Sequence, residues 1–246
     1  MQASERVNYI KNWILDYCKS MPNEPDSLVI GVSGGIDSSV SSTLCALSGK
    51  KTIVLSMPIK QLKDQHDLSI KHQDWLKKKY TNVESHLIVL DDVFKSFKKS
   101  LSKFDSEHGL ANSRARLRMT TLYQVAASNN GIVVGTGNKV EDFGVGFYTK
   151  YGDGGVDISP IADCTKSQIW EMGKDLGILK EIIQAQPTDG LWDDGRTDIN
   201  QLGMSYKELE DAMKDSSDKN HKKYLEIRKR NLHKMNPIPV CKMKDD

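Results

Sequence analysis

Short apolar runs alternate with segments of helical periodicity along this chain, and that alternation limits the fold more than any other feature of the sequence. Strands are predicted at 27–32, 51–57, 85–90 and 131–135, and helices at 37–47, 66–80, 114–129 and 166–176. Each strand is almost continuously apolar, which is typical of a parallel sheet covered on both faces. We therefore expect an α/β fold with a doubly wound, mainly parallel, five-stranded sheet flanked by helices.

The composition fits one domain and excludes several classes of protein. A chain of 246 residues, 38% hydrophobic and 28% charged, can bury one large core, so residues 1–246 are interpreted as a single domain. The net charge of +2 predicts no nucleic-acid partner, and no apolar run approaches the roughly 20 residues that cross a membrane. Four scattered cysteines without a C-x-x-C pair, and no secretory signal, indicate a cytoplasmic protein with reduced thiols.

The stretch LVIGVSGGIDSSVSST at 28–43 joins a predicted strand to the helix that follows it, and its residues allow three interpretations. Gly31–Gly35 matches the G-x-S-x-G pattern of a serine-hydrolase elbow with Ser33 as nucleophile, but such an elbow normally follows several earlier strands. The glycines also suit a turn that binds a nucleotide phosphate, although no lysine follows them as in a Walker A loop. A tight turn without a ligand is the third possibility.

Asp37 favours the phosphate interpretation. The turn offers backbone N–H groups at a helix N-terminus, flanked by the hydroxyls of Ser33 and Ser38, and this arrangement binds anions. An aspartate beside a phosphate repels it unless a divalent cation lies between them. Mg²⁺ takes one or two carboxylates and completes its shell with phosphate oxygens and water, so Asp37 predicts a magnesium site.

Two long segments without periodicity interrupt the pattern. The Gly-rich segment GFYTKYGDGGVDISPIADCTKSQ, which begins at Gly146, is predicted to be an ordered loop. The segment 186–201 is predicted to be a mobile lid, because loops of this length are usually functional or disordered. Its acidic residues Asp193, Asp194 and Asp198 are interpreted as solvated.

The S-G-G-x-D-S turn at 33–38 resembles that of the N-type ATP pyrophosphatases, a Rossmann-like group that splits ATP into AMP and pyrophosphate. Three further stretches are similar to the ammonia-dependent NAD synthetases within that group: NSRARLRM at 112–119, GTGNKVE at 135–141 and FYTKYGDGGVDISPI at 147–161. The resemblance extends from residue 5 to residue 241.

This resemblance implies a ligase that amidates deamido-NAD with ammonia through an adenylated intermediate, which is the last step of NAD biosynthesis. ATP would be the co-substrate and Mg²⁺ the cofactor. Free ammonia is expected as the nitrogen source, because 246 residues leave no room for the amidase domain of the glutamine-dependent synthetases. The resemblance also implies a homodimer with the dinucleotide site at the subunit interface. The candidate interface elements are the helix at 114–129 and an amphipathic N-terminal helix, which is predicted from the helical spacing of Val7, Ile10, Ile14 and Tyr17.

The resemblance implies site residues position by position. Contacts to ATP are implied for Gly31, Val32, Ser33, Gly34, Gly35, Ile36, Asp37, Ser38, Thr136, Lys166 and Thr188. Contacts to deamido-NAD are implied for Arg116, Lys150, Asp157, His233 and Lys234. The metal ligands would be Asp37 and Glu141, and the catalytic residues Asp37 and Lys166.

The second metal ligand is open between two neighbouring acids. Between Glu141 and Lys150 the chain has one residue more than the spacing of the family. Counting forward from Thr136 selects Glu141, whereas counting back from Lys150 selects Asp142. We choose Glu141, because the extra residue then falls in the turn that contains Gly144.

Two other functions are alternatives. A related ATP pyrophosphatase that adenylates a tRNA base would be expected to have a strongly basic surface and often paired cysteines, and the net charge of +2 and the scattered cysteines argue against it. A non-catalytic sensor of adenine nucleotides would be expected to lack the acidic metal ligand and the Gly-rich loop.

Overall fold

A computed structural model of the chain describes residues 1–60, 63–188, 190–192 and 197–243. Its helices are α1 (Ala3–Ser20), α2 (Ile36–Leu47), α3 (Lys63–Lys79), α4 (Asp91–Ser100), α5 (Glu107–Ser128), α6 (Lys166–Asp175), α7 (Lys180–Gln184), α8 (Asp198–Leu202), α9 (Tyr206–Lys214) and α10 (His221–Met235). Its strands are β1 (Ser27–Gly31), β2 (Lys51–Ser56), β3 (Val83–Leu87) and β4 (Gly131–Val133). Within the described ranges, no helix is long and apolar enough to cross a membrane.

The strands form one parallel sheet in the order β3-β2-β1-β4, and this confirms the predicted doubly wound α/β fold. The chain moves outward from β1 to β3 and then returns to place β4 on the other side of β1. In such sheets the crevice where the strand order reverses, here between β1 and β4, is the usual ligand site.

The described sheet has four strands where five are predicted, because the fifth is reduced to a single parallel bridge between Val134 and Ile158. Beside this bridge, the Asp157 carboxylate accepts the backbone N–H of Val133 at 2.7 Å. A side chain thus takes a hydrogen bond that a backbone carbonyl would accept in a longer ladder.

The third strand begins and ends earlier than predicted, at Val83–Leu87 instead of 85–90. Its hydrogen bonding to the neighbouring chain continues past the strand, since Ile88 donates to the Ser56 carbonyl and Leu90 to that of Pro58. The apolar run therefore does not mark the regular part of the strand, and of its large apolar residues Leu87 and Val89 are exposed whereas Leu90 is buried.

Apolar residues cover both faces of the sheet. Leu28 and Ile30 of β1 belong to a cluster with α1, α2 and α6, whereas Val29 belongs to a cluster with α4 and α5. This alternation follows from the two-residue period of a strand. The sheet is thereby fixed between two helical layers, and the carboxyl ends of β1 and β4 open into the same cleft.

A π-helix at Lys139–Val145 follows β4 and carries Glu141 and Asp142, the two alternatives for the second metal ligand. A π-turn holds one residue more than an α-turn, which suits the extra residue noted between Glu141 and Lys150. The Asn138 side chain accepts the N–H groups of Val140 and Glu141 at the start of this helix. At its end, Arg228 of α10 donates to the carbonyls of Phe143 and Gly144.

Candidate active site

The predicted turn Gly31–Ser38 lines a cleft at the carboxyl ends of β1 and β4. Other cleft residues come from distant parts of the chain: Thr136, Glu141, Asp142, Lys166, Thr188 and Asp198 all line it. Both glycine-rich stretches, after β1 and after β4, therefore contribute to one site, as the parallel sheet predicts.

The backbone of the turn is fixed by its own side chains. Gly34 has a φ of +92°, in the left-handed region that favours glycine. The Ser33 hydroxyl accepts the N–H of Gly35 at 3.2 Å and lies 3.1 Å from the Ser38 hydroxyl. Ser39 donates to the Gly35 carbonyl at 2.9 Å. The turn thus presents the N-terminus of α2 to the cleft in the geometry that binds anions.

Lys166 lies between the two predicted metal ligands. Its Nζ is 2.5 Å from the Asp37 carboxylate and 2.8 Å from that of Glu141, and the lysine is only 1% exposed. Lys166 is the first residue of α6, whose capping Thr165 accepts the N–H of Gln168. Asn138 also donates to Asp37, at 3.3 Å. Three predicted residues from three elements therefore form one ionic cluster.

The charged forms of Lys166 and Glu141 are stabilised in this cluster, whereas that of Asp37 is not. Burial alone would lower the pKa of Lys166, but Asp37 and Glu141 raise it, so the ammonium form is held. Burial alone would raise the pKa of Glu141, but Lys166 and the hydrogen bonds to it lower it, so Glu141 is an anion. Burial, with the neighbouring charge of Glu141, raises the pKa of Asp37.

Tyr206 and Asp198 extend the cluster, and neither was expected there. The Tyr206 hydroxyl contacts Glu141 at 2.5 Å and Asp198 at 2.6 Å. Asp198 is 4% exposed, so its interpretation as a solvated loop acid is wrong. Burial, together with the charges of Glu141 and Asp198, raises the pKa of Tyr206, which keeps the phenol protonated. The other two loop acids, Asp193 and Asp194, lie outside the described residues.

Asp142 also reaches the cleft but contacts other groups. Its carboxylate packs against Gly137, where even one added carbon would lie 1.9 Å from an Asp142 oxygen. Burial and the nearby Asp153 raise the pKa of Asp142 well above its usual range. Glu141, by contrast, shares Lys166 with Asp37, so the geometry groups Glu141 with Asp37.

The donor set fits a magnesium ion that is completed by its substrate. The described ranges contain no group of three or more His, Cys, Asp or Glu residues suited to hold a metal. Mg²⁺ does not need such a group, because it commonly takes one or two carboxylates and fills its shell with phosphate oxygens and water. Asp37 and Glu141 beside an anion-binding turn meet that requirement.

The residues assigned to deamido-NAD are partly brought together. Arg116 of α5 donates from its Nε to the Lys150 carbonyl at 3.2 Å, and the Lys150 ammonium lies 5.4 Å from the centre of the Tyr151 ring. Tyr151 also lines an open groove along α5. This groove adjoins the cleft, because Met119 and Val156 line both.

The other three residues assigned to deamido-NAD have different surroundings. Both carboxylate oxygens of Asp157 are bonded, one to the Val133 N–H and one to the Tyr123 hydroxyl at 2.9 Å. Lys234 donates to the Tyr148 carbonyl at 2.8 Å, and His233 is exposed on α10. Neither His233 nor Lys234 is among the residues that line the cleft or the groove.

The predicted lid is described only in part, because residue 189 and residues 193–196 lie outside the described ranges. Thr188 lines the cleft. The buried Arg114 of α5 donates to the Leu191 carbonyl at 3.1 Å. Arg118 lines the cleft and donates to the Met57 carbonyl at 3.0 Å. Sequence analysis missed both arginines, although they flank the predicted Arg116 in the quoted NSRARLRM motif.

Comparison with known proteins identifies the family. A model of the NAD synthase family matches residues 6–245. An NH3-dependent NAD+ synthetase from Methanosarcina acetivorans is 38% identical over 213 residues, which are 83% of this chain and 80% of that protein. Another from Archaeoglobus fulgidus is 33% identical over 243 residues, or 94% and 96% of the two chains. The solved structure of an NMN synthetase from Francisella tularensis has a TM-score of 0.90 at 32% identity, and covers 99% of this chain and 100% of that one. The chain belongs to the NAD synthase family.

Proposed function

We propose that this protein is an ammonia-dependent NAD synthetase, a C–N-bond-forming ligase that converts deamido-NAD, ATP and ammonia into NAD, AMP and pyrophosphate. One observation carries the proposal in the structure. Asp37 and Glu141, which follow neighbouring strands, both form ion pairs with the Lys166 ammonium at the Gly31–Ser38 turn. This arrangement suits a nucleoside triphosphate, because the turn can bind its phosphates and the two carboxylates can hold its cation.

The chemistry has two steps. A carboxylate resists attack by ammonia, so the nicotinate oxygen first attacks the α-phosphorus of ATP and pyrophosphate leaves. Ammonia then attacks the carbonyl of the acyl adenylate, AMP leaves with the bonding electron pair, and the nitrogen loses a proton. Neither step needs a protein nucleophile, so catalysis rests on positioning and on stabilisation of charge.

Each residue has a role that its place in the cleft supports. The N–H groups at the start of α2 would receive the pyrophosphate, and the Lys166 ammonium would neutralise phosphate charge as the reaction proceeds. Thr136 and Thr188, which both line the cleft, would offer hydroxyls to the nucleotide. Arg116 and Lys150 do not line the adjoining groove but lie next to its residue Tyr151, and from there they would bind the anionic dinucleotide.

Asp37 and Glu141 are the residues that would hold Mg²⁺. When bound, the ion would offset the charge of the phosphate oxygens during displacement. Both carboxylates lie on Lys166, so their orientation is already fixed by the protein.

We also infer that the enzyme is a cytoplasmic homodimer that binds deamido-NAD near the subunit interface. The groove along α5 is open, and Tyr123 and Tyr151 line it with side chains that are 38% and 58% exposed. A second copy would cover these exposed aromatic side chains. Light scattering tests the assembly: a mass of one chain at micromolar concentration would contradict it.

The direct test is an assay of the purified protein with Mg-ATP, ammonium and deamido-NAD. We expect NAD, AMP and pyrophosphate in equal amounts. Formation of ADP and phosphate, or turnover of ATP without NAD, would overturn the proposal. Glutamine in place of ammonium is the matched control, and we expect it to give no product.

A second candidate substrate is suggested by the NMN synthetase from Francisella tularensis, which shares 32% identity and a TM-score of 0.90 with this chain. The same two steps applied to nicotinate mononucleotide would give NMN. Competition between equal concentrations of the two acids distinguishes the candidates. We expect a higher kcat/KM for deamido-NAD, and a higher value for the mononucleotide would assign the enzyme to the second reaction.

A further inference from the structure

Tyr206 contacts two cleft residues, Glu141 and Asp198, that belong to different elements. It is 4% exposed, on α9, and its hydroxyl contacts Glu141 at 2.5 Å and Asp198 at 2.6 Å. The Lys166 ammonium lies 4.6 Å from the centre of the Tyr206 ring. One side chain therefore contacts a proposed metal ligand, the lysine beside it and an acid from another element.

Asp198 connects this contact to the cleft residues Pro187 and Thr188. Asp198 begins α8, and its backbone N–H donates to the Pro187 carbonyl at 3.1 Å. Pro187 and Thr188 both line the cleft. A set of short polar contacts thus runs from Glu141 through Tyr206 and Asp198 to the backbone next to Thr188, and the single phenolic proton bonds one of the two carboxylates at a time.

The orientation of Glu141 depends on this contact because one oxygen receives two donors. Oε1 of Glu141 accepts both the Lys166 ammonium, at 2.8 Å, and the Tyr206 hydroxyl. If the hydroxyl were absent, Oε1 would keep its bond to the Lys166 ammonium, which Asp37 also shares. Partners that bond a metal ligand in this way commonly change metal affinity or activity by about 10- to 100-fold when they are removed.

We propose that Tyr206 is a positioning residue that fixes the Glu141 carboxylate for the metal ion. Through Asp198, it also fixes the position of Pro187 and Thr188 relative to Glu141. The proposal rests on the proposed function for the role of Glu141. It predicts that loss of the hydroxyl weakens binding of the cation and of the nucleotide together.

The test is Tyr206→Phe, which keeps the ring against Trp170 and removes only the hydroxyl. The matched control is Tyr224→Phe, a buried tyrosine of the same apolar cluster that does not line the cleft. We expect Tyr206→Phe to raise the half-saturating Mg²⁺ concentration and the KM for ATP about tenfold, with the KM for ammonium unchanged. Affinity for Mn²⁺, measured by electron paramagnetic resonance on the enzyme without nucleotide, should fall by a similar factor.

Asp198→Asn tests the same link from its other end. If the contacts act as one unit, the double variant Tyr206→Phe/Asp198→Asn will lose no more than the worse single variant. Additive losses of Mg²⁺ and ATP binding would contradict the proposed link from Tyr206 through Asp198 to Thr188. Wild-type values for Mg²⁺, Mn²⁺ and ATP in Tyr206→Phe, equal to those of Tyr224→Phe, would overturn the proposal.

The design separates this inference from the proposed function. If Glu141→Gln weakens Mn²⁺ binding while Tyr206→Phe does not, the positioning role is wrong and the metal site stands. If the wild-type enzyme forms no NAD but Tyr206→Phe still weakens Mn²⁺ binding, the proposed reaction is wrong and the positioning role stands.

Discussion

The ammonium of Lys166 lies 2.5 Å from the carboxylate of Asp37, although 129 residues separate them in the chain. The contact joins the first turn of α6 to the first turn of α2, across the crevice where the strand order reverses. Glu141 completes the cluster from the π-helix. The buried ionic cluster therefore lies at the point where the proposed reaction would bind the phosphate groups of ATP.

Replacement of Lys166 by methionine should impair both activity and stability. The variant leaves Asp37 and Glu141 buried without their cation, so the free energy of unfolding at pH 7 should fall by about 3–5 kcal/mol. Burial and the charge of Glu141 already raise the pKa of Asp37, and loss of Lys166 raises it further. The folded variant then binds more protons than the unfolded chain, so its stability should increase as the pH falls from 7.

Urea unfolding at pH 5 and pH 7 measures this effect. The control is Lys139→Met, because Lys139 pairs with Asp163 at the surface, where the two side chains are 44% and 96% exposed. Such a pair contributes at most about 1 kcal/mol. Equal losses in the two variants would show that the buried cluster has no special place in stability.

Asp37→Asn should separate activity from folding. Lys166 keeps Glu141 as a partner in this variant, and the amide occupies the same volume, so we expect a change in stability within about 1 kcal/mol. The kcat should fall by about 100-fold or more, because one of the two carboxylates that would hold Mg²⁺ is lost. Steady-state kinetics with Asp163→Asn as the surface control checks this, and an active Asp37→Asn enzyme would refute the metal role.

The choice between Glu141 and Asp142 has its own test. Glu141→Gln should raise the half-saturating Mg²⁺ concentration about tenfold or more. Burial and the neighbouring Asp153 hold the pKa of Asp142 well above its usual range, which disfavours the charged form that a cation needs, so Asp142→Asn should change the half-saturating Mg²⁺ concentration less than about threefold. The opposite order of effects would assign the metal to Asp142.

The buried His72 should make the protein less stable in mild acid. Burial lowers the pKa of His72 to about 4, while its Nε2 lies 3.0 Å from the Ser42 hydroxyl. Between pH 6.5 and pH 4 the unfolded chain binds a proton that the folded protein does not, so stability falls as the pH falls. The difference corresponds to about 3 kcal/mol.

Chemical unfolding from pH 7 to pH 4.5 follows this loss. The variant His72→Gln should have a smaller pH dependence over that interval, whereas His108→Gln, at an exposed position of α5, should match the wild type. A pH dependence that is the same in all three proteins would exclude His72 as its source.

Much of the fold could be predicted because the signals are local. Continuous apolar runs indicated a parallel sheet, and glycines followed by Asp37 indicated an anion site at a strand end. The shift of β3 to Val83–Leu87 could not be predicted, since an apolar run does not report where regular pairing ends, and here Leu87 and Val89 are apolar yet exposed. The prediction of a fifth strand was also inaccurate, because at the edge of β4 the Asp157 side chain accepts the Val133 N–H in place of a backbone carbonyl.

The inner part of the site was harder to predict from the sequence. Asp198 follows Thr197, whose side chain accepts the Asn200 N–H as a helix cap, and a threonine in that position is a readable sign of a helix start. That sign would have placed Asp198 in a first helical turn instead of a loop. Its burial against Tyr206 depends on how α9 packs, and no local pattern reports that contact.

The central claim, activation of a carboxylate by adenylation, is tested most directly by an oxygen label. Deamido-NAD with both carboxylate oxygens replaced by ¹⁸O is converted in unlabelled water with Mg-ATP and ammonium, and AMP is analysed by mass spectrometry. Attack of the carboxylate on the α-phosphorus transfers one ¹⁸O to AMP for each NAD formed, and the pyrophosphate stays unlabelled. AMP without label, or label in pyrophosphate, would contradict the account.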